Sequence, residues 1–286
     1  MTQLAERTKL IKPSVTLAIA AKAGKLRAEG VDVVNFSAGE PDFDTPEHIK
    51  GAAVDALRKG MTKYTDVKGI EPLREAITDS YRRTHDLTYR KDDVLVSCGA
   101  KHSLYNILQA VVNPGDEVVI PAPYWVSYSD MALLAGGVPK LIFSDESSGF
   151  RITPEQLAAA LTPRTRVLFL NSPCNPTGAC YGREELLALG SVLEKHHCLI
   201  LADDIYEKIV YDGFLVHNIL TLCPALRDRT IVVNGVSKSY AMTGWSTGYA
   251  LGPSDVIAAA SKIQSQSTSN PTSIAQAAAL EAIRGP

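Results

Sequence analysis

Asn234-Gly235-Val236-Ser237-Lys238-Ser239-Tyr240-Ala241-Met242-Thr243-Gly244-Trp245 follows directly on the apolar run Ile231-Val232-Val233. The β-branched run reads as a strand, so Lys238 falls just past its carboxyl end. No charged residue follows Lys238 until Asp255. A lysine in neutral, half-apolar surroundings is costly to keep protonated. Its pKa should fall and its amine become a usable nucleophile.

The same strand grammar extends outward. Apolar runs recur at Val94-Leu95-Val96, Glu117-Val118-Val119-Ile120, Leu141-Ile142-Phe143, Val167-Leu168-Phe169-Leu170 and Leu199-Ile200-Leu201. Helical patterns separate them. Thr153-Pro154-Glu155-Gln156 offers an N-cap threonine with proline in the first turn, and Thr45-Pro46-Glu47 repeats that signal. Behind Thr45, Ile49, Ala53 and Leu57 share one helix face, and Gly60 suits a C′ position. Asn113-Pro114-Gly115-Asp116 reads as a turn. Short apolar strands alternating with helices predict an α/β fold, a mainly parallel sheet with helices on both faces. Gly99, Asn175, Asp203 and Lys238 then all sit at or just past strand carboxyl ends, where open α/β sheets bind ligands.

Composition narrows the function classes. The chain has 286 residues, 45% hydrophobic and 21% charged, with a formal net charge of -2. That balance suits a globular protein and gives no electrostatic case for nucleic acid or an anionic membrane. The first residues lack an apolar leader core, and no run is long and apolar enough to span a bilayer. Five cysteines without a CxxC pair suggest reduced thiols and a cytoplasmic location. His196-His197-Cys198 has no second cluster at ligand spacing, so no metal site is expected. No GxGxxG opens a helix after a strand, which disfavours a nicotinamide dehydrogenase.

Several segments carry a more specific likeness: Ser37-Ala38-Gly39-Glu40-Pro41-Asp42, Lys63-Tyr64-Thr65, Ser97-Cys98-Gly99-Ala100-Lys101 and Pro123-Tyr124-Trp125-Val126-Ser127-Tyr128. Asn171-Ser172-Pro173-Cys174-Asn175-Pro176-Thr177-Gly178, Ala202-Asp203-Asp204-Ile205-Tyr206-Glu207 and Ser237-Lys238 complete the set. From about Lys12 onward the chain resembles the fold-type I, pyridoxal-phosphate-dependent aminotransferases of class I, nearest the bacterial aspartate/prephenate branch. The resemblance implies pyridoxal 5'-phosphate as cofactor and Lys238 as its covalent anchor. Asp203 would pair with the pyridine nitrogen, with Asp204 the competing residue. Gly99, Ala100, Lys101 and Ser237 would cup the phosphate, Trp125 would stack on the ring, and Asn175 and Tyr206 would bond its phenolic oxygen. Tyr64 would reach the phosphate of a neighbouring subunit, implying a homodimer. Gly39, Trp125 and Asn175 would meet the substrate, and Lys12, Thr16 and Lys101 its distal carboxylate.

The same resemblance implies residues 1–40 as an N-terminal arm with part of a small domain, and 41–286 as the large cofactor-binding domain. Two departures stand out. The family carries an arginine eight residues after the anchoring lysine, where this chain has Ser246. Family members also continue past the position of Pro286 into a C-terminal small domain, whose absence here makes the chain look truncated and its activity uncertain. Arg284 reads as a last-turn cation on a helix rather than as that domain's substrate-gripping arginine. The expected reaction is transamination between a dicarboxylic amino acid (aspartate or glutamate, with prephenate/arogenate as a further pair) and a 2-oxo acid. The alternatives are a carbon–sulfur lyase on the same fold and a non-catalytic cofactor-binding remnant.

Overall fold

In the computed structural model, residues 2–13, 15–36 and 39–286 are described, without the side chains of 15–17. Strands β1 (Val94–Ser97), β2 (Glu117–Ala122), β3 (Val138–Phe143), β4 (Thr165–Asn171), β5 (Leu199–Asp203), β6 (Thr230–Gly235) and β7 (Gly248–Leu251) form one sheet. Their order is β1-β7-β6-β5-β4-β2-β3. Only β7 runs antiparallel to its neighbours; the remaining pairings are parallel. The described helices are α1 (Arg7–Leu10), α2 (Val15–Ala28), α3 (Glu47–Arg58), α4 (Glu71–His85), α5 (Ala100–Val111) and α6 (Ser127–Leu134). They continue with α7 (Pro154–Ala160), α8 (Arg183–Leu193), α9 (Ile219–Leu222), α10 (Ser254–Ser267) and α11 (Ser273–Arg284).

Strand pleating sends alternate side chains to two separate cores. On one face Val232, Ile200 and Val96 meet Leu73, Ile77 and Tyr81 of α4, Leu186 of α8 and Ala278 of α11. On the other, Ile231, Val233, Leu201 and Leu95 meet Leu104 and Ile107 of α5, Tyr128 of α6 and Ile257 of α10. Both faces are covered, which is why the strands read as continuous apolar runs. Among the described residues no helix is long and apolar enough to cross a membrane, and no group of His, Cys, Asp and Glu could hold a metal ion. All five cysteines are free.

Several local expectations hold. Thr153 caps α7 by accepting from the Gln156 amide, and Gly60 follows α3 at φ +73. The Asn113 and Asp116 amides close their turn in both directions. Others need correction. Thr45 does not cap α3: its hydroxyl donates to Ala241 O at 2.6 Å. Leu57 is 49% exposed, and Ala56 takes the buried place beside Ile49 and Ala53. β3 begins earlier, at Val138, because its first residues pair with Glu117 and Val118 on the sheet rim. β7, four residues long, adds a strand beyond the six apolar runs of the sequence.

Two fully buried glutamines fasten the loop between α3 and α4. Gln264 accepts from Ser97 Oγ at 2.7 Å and Asn106 Nδ2 at 3.0 Å, and donates to Val67 O and Val96 O. Gln276 accepts from the Ile70 amide at 2.7 Å and donates to Thr65 Oγ1 and Pro271 O. Gln264→Ala strands four partners at once, three of them buried. It should lower stability by about 3 kcal/mol or more, measured by urea unfolding, since each unmet buried group costs roughly 1–3 kcal/mol.

Candidate functional site

The carboxyl ends of β1, β4, β5 and β6 open into one cleft of about 1320 Å³. Lys238 stands three residues beyond β6, half-buried, with Nζ donating to Gly39 O at 2.7 Å and lying 5.7 Å from the Tyr206 ring centre. Burial pulls its pKa below the usual lysine value, and the Glu40 carboxylate only partly opposes this. Glu40 is itself held by the Thr243 hydroxyl at 2.8 Å.

Asp203 ends β5 and is 3% exposed. Oδ2 accepts from Tyr128 Oη at 2.6 Å and Oδ1 from the Ile205 amide at 3.3 Å. Burial pushes its carboxyl up to about 6 even though both hydrogen bonds pull downward. Tyr128 is fixed in turn by stacking on Phe169 at 4.2 Å and by the edge of Trp125 at 5.4 Å. Asp204, one residue on, faces the opposite core, where Asn218 Nδ2 donates to it at 2.6 Å. Burial, then the nearby Glu207 carboxylate, raises its pKa well above the ordinary range. Asp203 and not Asp204 lines the cleft.

Gly99 caps α5 at φ +87, a conformation that suits glycine. Among the described residues the Ala100 and Lys101 amides donate to no protein acceptor. Such first-turn donors with the helix dipole behind them favour an anion. Gly248 of β7 backs this turn: a Cβ there would sit 2.1 Å from the Ala100 nitrogen. Asn175 is oriented through its amide, which donates to Asn171 Oδ1 at 2.8 Å, and its Nδ2 donates to Tyr206 Oη at 3.4 Å. Lys101 Nζ lies 4.8 Å from the Trp125 ring centre.

Gly39, Gly99, Ala100, Lys101, Trp125, Asn175, Asp203, Tyr206, Ser237 and Lys238 all line this cleft. Lys12 and Tyr64 do not; Tyr64 is 89% exposed. The side chain of Thr16, like Ser37 and Ala38 of the quoted motif, lies outside the described residues. Ser246 lines the cleft at φ +48. Sequence reading missed Tyr128 as the partner of Asp203, although its spacing of three from Trp125 is a helical-turn signal. It also missed Gly248, whose close approach needs the tertiary structure to be seen.

The family model for aminotransferase class I and II matches residues 31–286. An aspartate/prephenate aminotransferase of Nitrosomonas europaea is 52% identical over 99% of this chain and 72% of its own length. The crystal structure of the Rhizobium meliloti aspartate aminotransferase superposes with a TM-score of 0.97 at 50% identity, over 100% of this chain and 72% of that one. The Thermus thermophilus aspartate aminotransferase solved with maleate gives 0.95 at 45% identity, over 99% and 73%. With this sheet, this cleft and these relatives, the chain belongs to the class I and II aminotransferases and is a pyridoxal-phosphate-dependent enzyme.

Proposed function

We propose that the chain transfers an amino group between a dicarboxylic amino acid, aspartate or glutamate, and a 2-oxo acid, with prephenate/arogenate as a further pair. The observation that carries this reading is that Lys238 and Asp203 line one cleft, a lysine with depressed basicity and a buried carboxylate. The names of the relatives and the maleate in one of them favour dicarboxylic substrates.

The cleft fits pyridoxal phosphate on a further count: the amides at Ala100 and Lys101, which donate to no acceptor among the described residues, on a turn whose close seat on β7 requires Gly248. When bound, the cofactor supplies an aldehyde carbon that captures amines and a ring that accepts electrons. In this reading Lys238 holds it covalently and, once free, moves the proton at the substrate Cα. Asp203 keeps a proton on the ring nitrogen, while Ala100, Lys101 and Ser237 bind the phosphate. Trp125 orients the ring, and Asn175 and Tyr206 donate to its phenolic oxygen. Gly39 and Asn175 take the α-carboxylate end; Lys12, Thr16 and Lys101 take the distal one. The exposed Tyr64 suits a residue contributed to a second subunit of a homodimer. Residues 1–40 belong to the arm and small domain in the same reading.

Protein loaded with pyridoxal phosphate should form glutamate from aspartate and 2-oxoglutarate. Borohydride reduction and peptide mapping should then find the pyridoxyl group on Lys238. Pyruvate and ammonia from a β-substituted amino acid, without glutamate, would point to a lyase instead.

Asp203 carries a pH signature. Its folded pKa of about 6 exceeds the unfolded value, so the folded protein binds the extra proton. Stability of the cofactor-free protein should therefore fall as pH rises from about 4 to about 6, by on the order of 1–3 kcal/mol. Asp203→Asn should abolish that slope and raise the cofactor-free melting temperature at pH 7. It should also slow Cα proton exchange by about a hundredfold or more, the scale of losing one electrostatic stabiliser. Asp204→Asn should leave that exchange nearly unchanged; the reverse ranking of the two variants would exchange their roles.

At Ser246 a hydroxyl stands where the resemblance implies a guanidinium against the phosphate. Ser246→Arg should tighten cofactor retention in dialysis by about 10- to 150-fold, the worth of charge-assisted hydrogen bonds. Unchanged retention would mean that the phosphate group does not approach this wall.

A further inference from the structure

Behind the cleft, on the far face of the sheet, lies a buried polar cluster that the chemistry above does not use. Glu207 is its centre. The turn after β5 sends Tyr206 into the cleft and the next side chain, Glu207, into the opposite core. Its side chain is 12% exposed. Oε1 accepts from Asn234 Nδ2 at 3.0 Å, and Oε2 lies 3.0 Å from His85 Nε2 at the end of α4. Asn234 belongs to β6 and also donates to Tyr81 Oη at 3.2 Å, while its Oδ1 accepts from the Gly235 amide at 2.7 Å. Lys238 follows four residues after Asn234.

We propose that Glu207 is a positioning residue of the reaction centre. Its carboxylate joins the turn that carries Tyr206 to the strand end that leads to Lys238, and braces both against α4. The proposal rests on the roles given above to Lys238 and Tyr206.

The physical case is one of reach and burial. The turn after β5 has main-chain bonds from the Asp204 amide to Val233 O, from the Glu207 amide to Asp204 O and from the Ile209 amide to Tyr206 O. The side-chain ties of Glu207 add the link from this turn to the end of β6 and to α4. Here one carboxylate bonds to a neighbouring strand and to a helix at the same time. Both ties are shielded from water, where a hydrogen bond is stronger and its loss more costly. Titratable groups face Glu207 from each packed element: Tyr81 and His85 of α4, Asp204 after β5, Tyr240 after β6 and Tyr249 of β7. The nearby carboxylate adds to the burial that raises the pKa of Asp204.

The test reads the pH at which the absorbance of bound pyridoxal phosphate changes, in parallel with thermal unfolding and cofactor retention in dialysis. A hydrogen bond donated by Tyr206 favours the less protonated centre, so loosening its turn raises that midpoint. Glu207→Ala should raise it by about one pH unit, a tenfold change in proton affinity. Glu207→Gln keeps the length and both hydrogen-bond sites, and should stay within about 0.3 units of the parent. If Glu207→Ala does not fold, Glu207→Asp replaces it: the charge remains, the reach is one methylene shorter, and the midpoint should again rise. A fall in melting temperature with an unmoved midpoint overturns the proposal, because a purely structural residue behaves that way. A Gln variant shifted as far as the Ala variant also overturns it, since charge rather than position would then be responsible. Borohydride mapping on the parent separates the two levels of inference. A label away from Lys238 removes the underlying reading and the proposal together, whereas a label on Lys238 with an unmoved midpoint removes the proposal alone.

Discussion

A carboxylate kept in an apolar interior governs this site. Asp203 is almost fully buried, and its charged form is disfavoured unless something answers it. Tyr128 and the Ile205 amide answer only in part, since the pKa remains raised. Asp203 therefore faces the cleft as a buried acid whose charge is only partly compensated. The strand pleat makes the arrangement all-or-none: a slip of one residue would exchange Asp203 for Asp204 and turn the cleft-facing acid into the opposite core. The parallel register of β5 with β6, Ala202 opposite Val232 and Asp203 opposite Val233, holds it in place.

The second constraint is the closeness of backbones around the Gly99 turn at the start of α5. β7 enters between β1 and β6 as the one antiparallel strand, with Gly248 opposite Ser97 on one side and Gly235 on the other. A Cβ on Gly235 would come within 2.9 Å of Gly248 Cα. Two glycines face to face allow the Gly99 turn to settle directly on β7. The free amides at the start of α5 are thus aimed by main-chain packing, with no side chain intervening.

Much of this was legible in the residues. The parallel strands announced themselves as apolar runs because both faces are covered, and the convergence of Gly99, Asn175, Asp203 and Lys238 on one cleft followed from their place at strand ends. Thr153 and Gly60 were read correctly because a cap and a left-handed C′ position are local matters. The errors were tertiary. Thr45 has the composition of an N-cap, but a stronger use of its hydroxyl lies on the loop after Lys238, and Trp245 Nε1 donates to it as well. Leu57 keeps the helical period of Ile49 and Ala53, yet the rim of the buried stripe passes through Ala56. β7 is only four residues, Gly-Tyr-Ala-Leu, with no alternation to mark it. The Glu207 cluster joins residues distant in sequence, and no spacing rule foretells such a meeting.

The placement of β1 has a consequence for how the chain is made. β1 stands at one edge of the sheet, and β7 is its sole neighbour there. Val94 pairs with Leu251, more than half the chain later. During synthesis from the N-terminus, β1 and the Gly99 turn must wait until that later strand has emerged from the ribosome. Such long-range pairing is slow and leaves an apolar strand unprotected meanwhile. β4 and β5, by contrast, are joined through a single helix and can pair early. The corner of the cleft formed by the Gly99 turn therefore cannot close until β7, the last strand of the sheet in sequence, has been made.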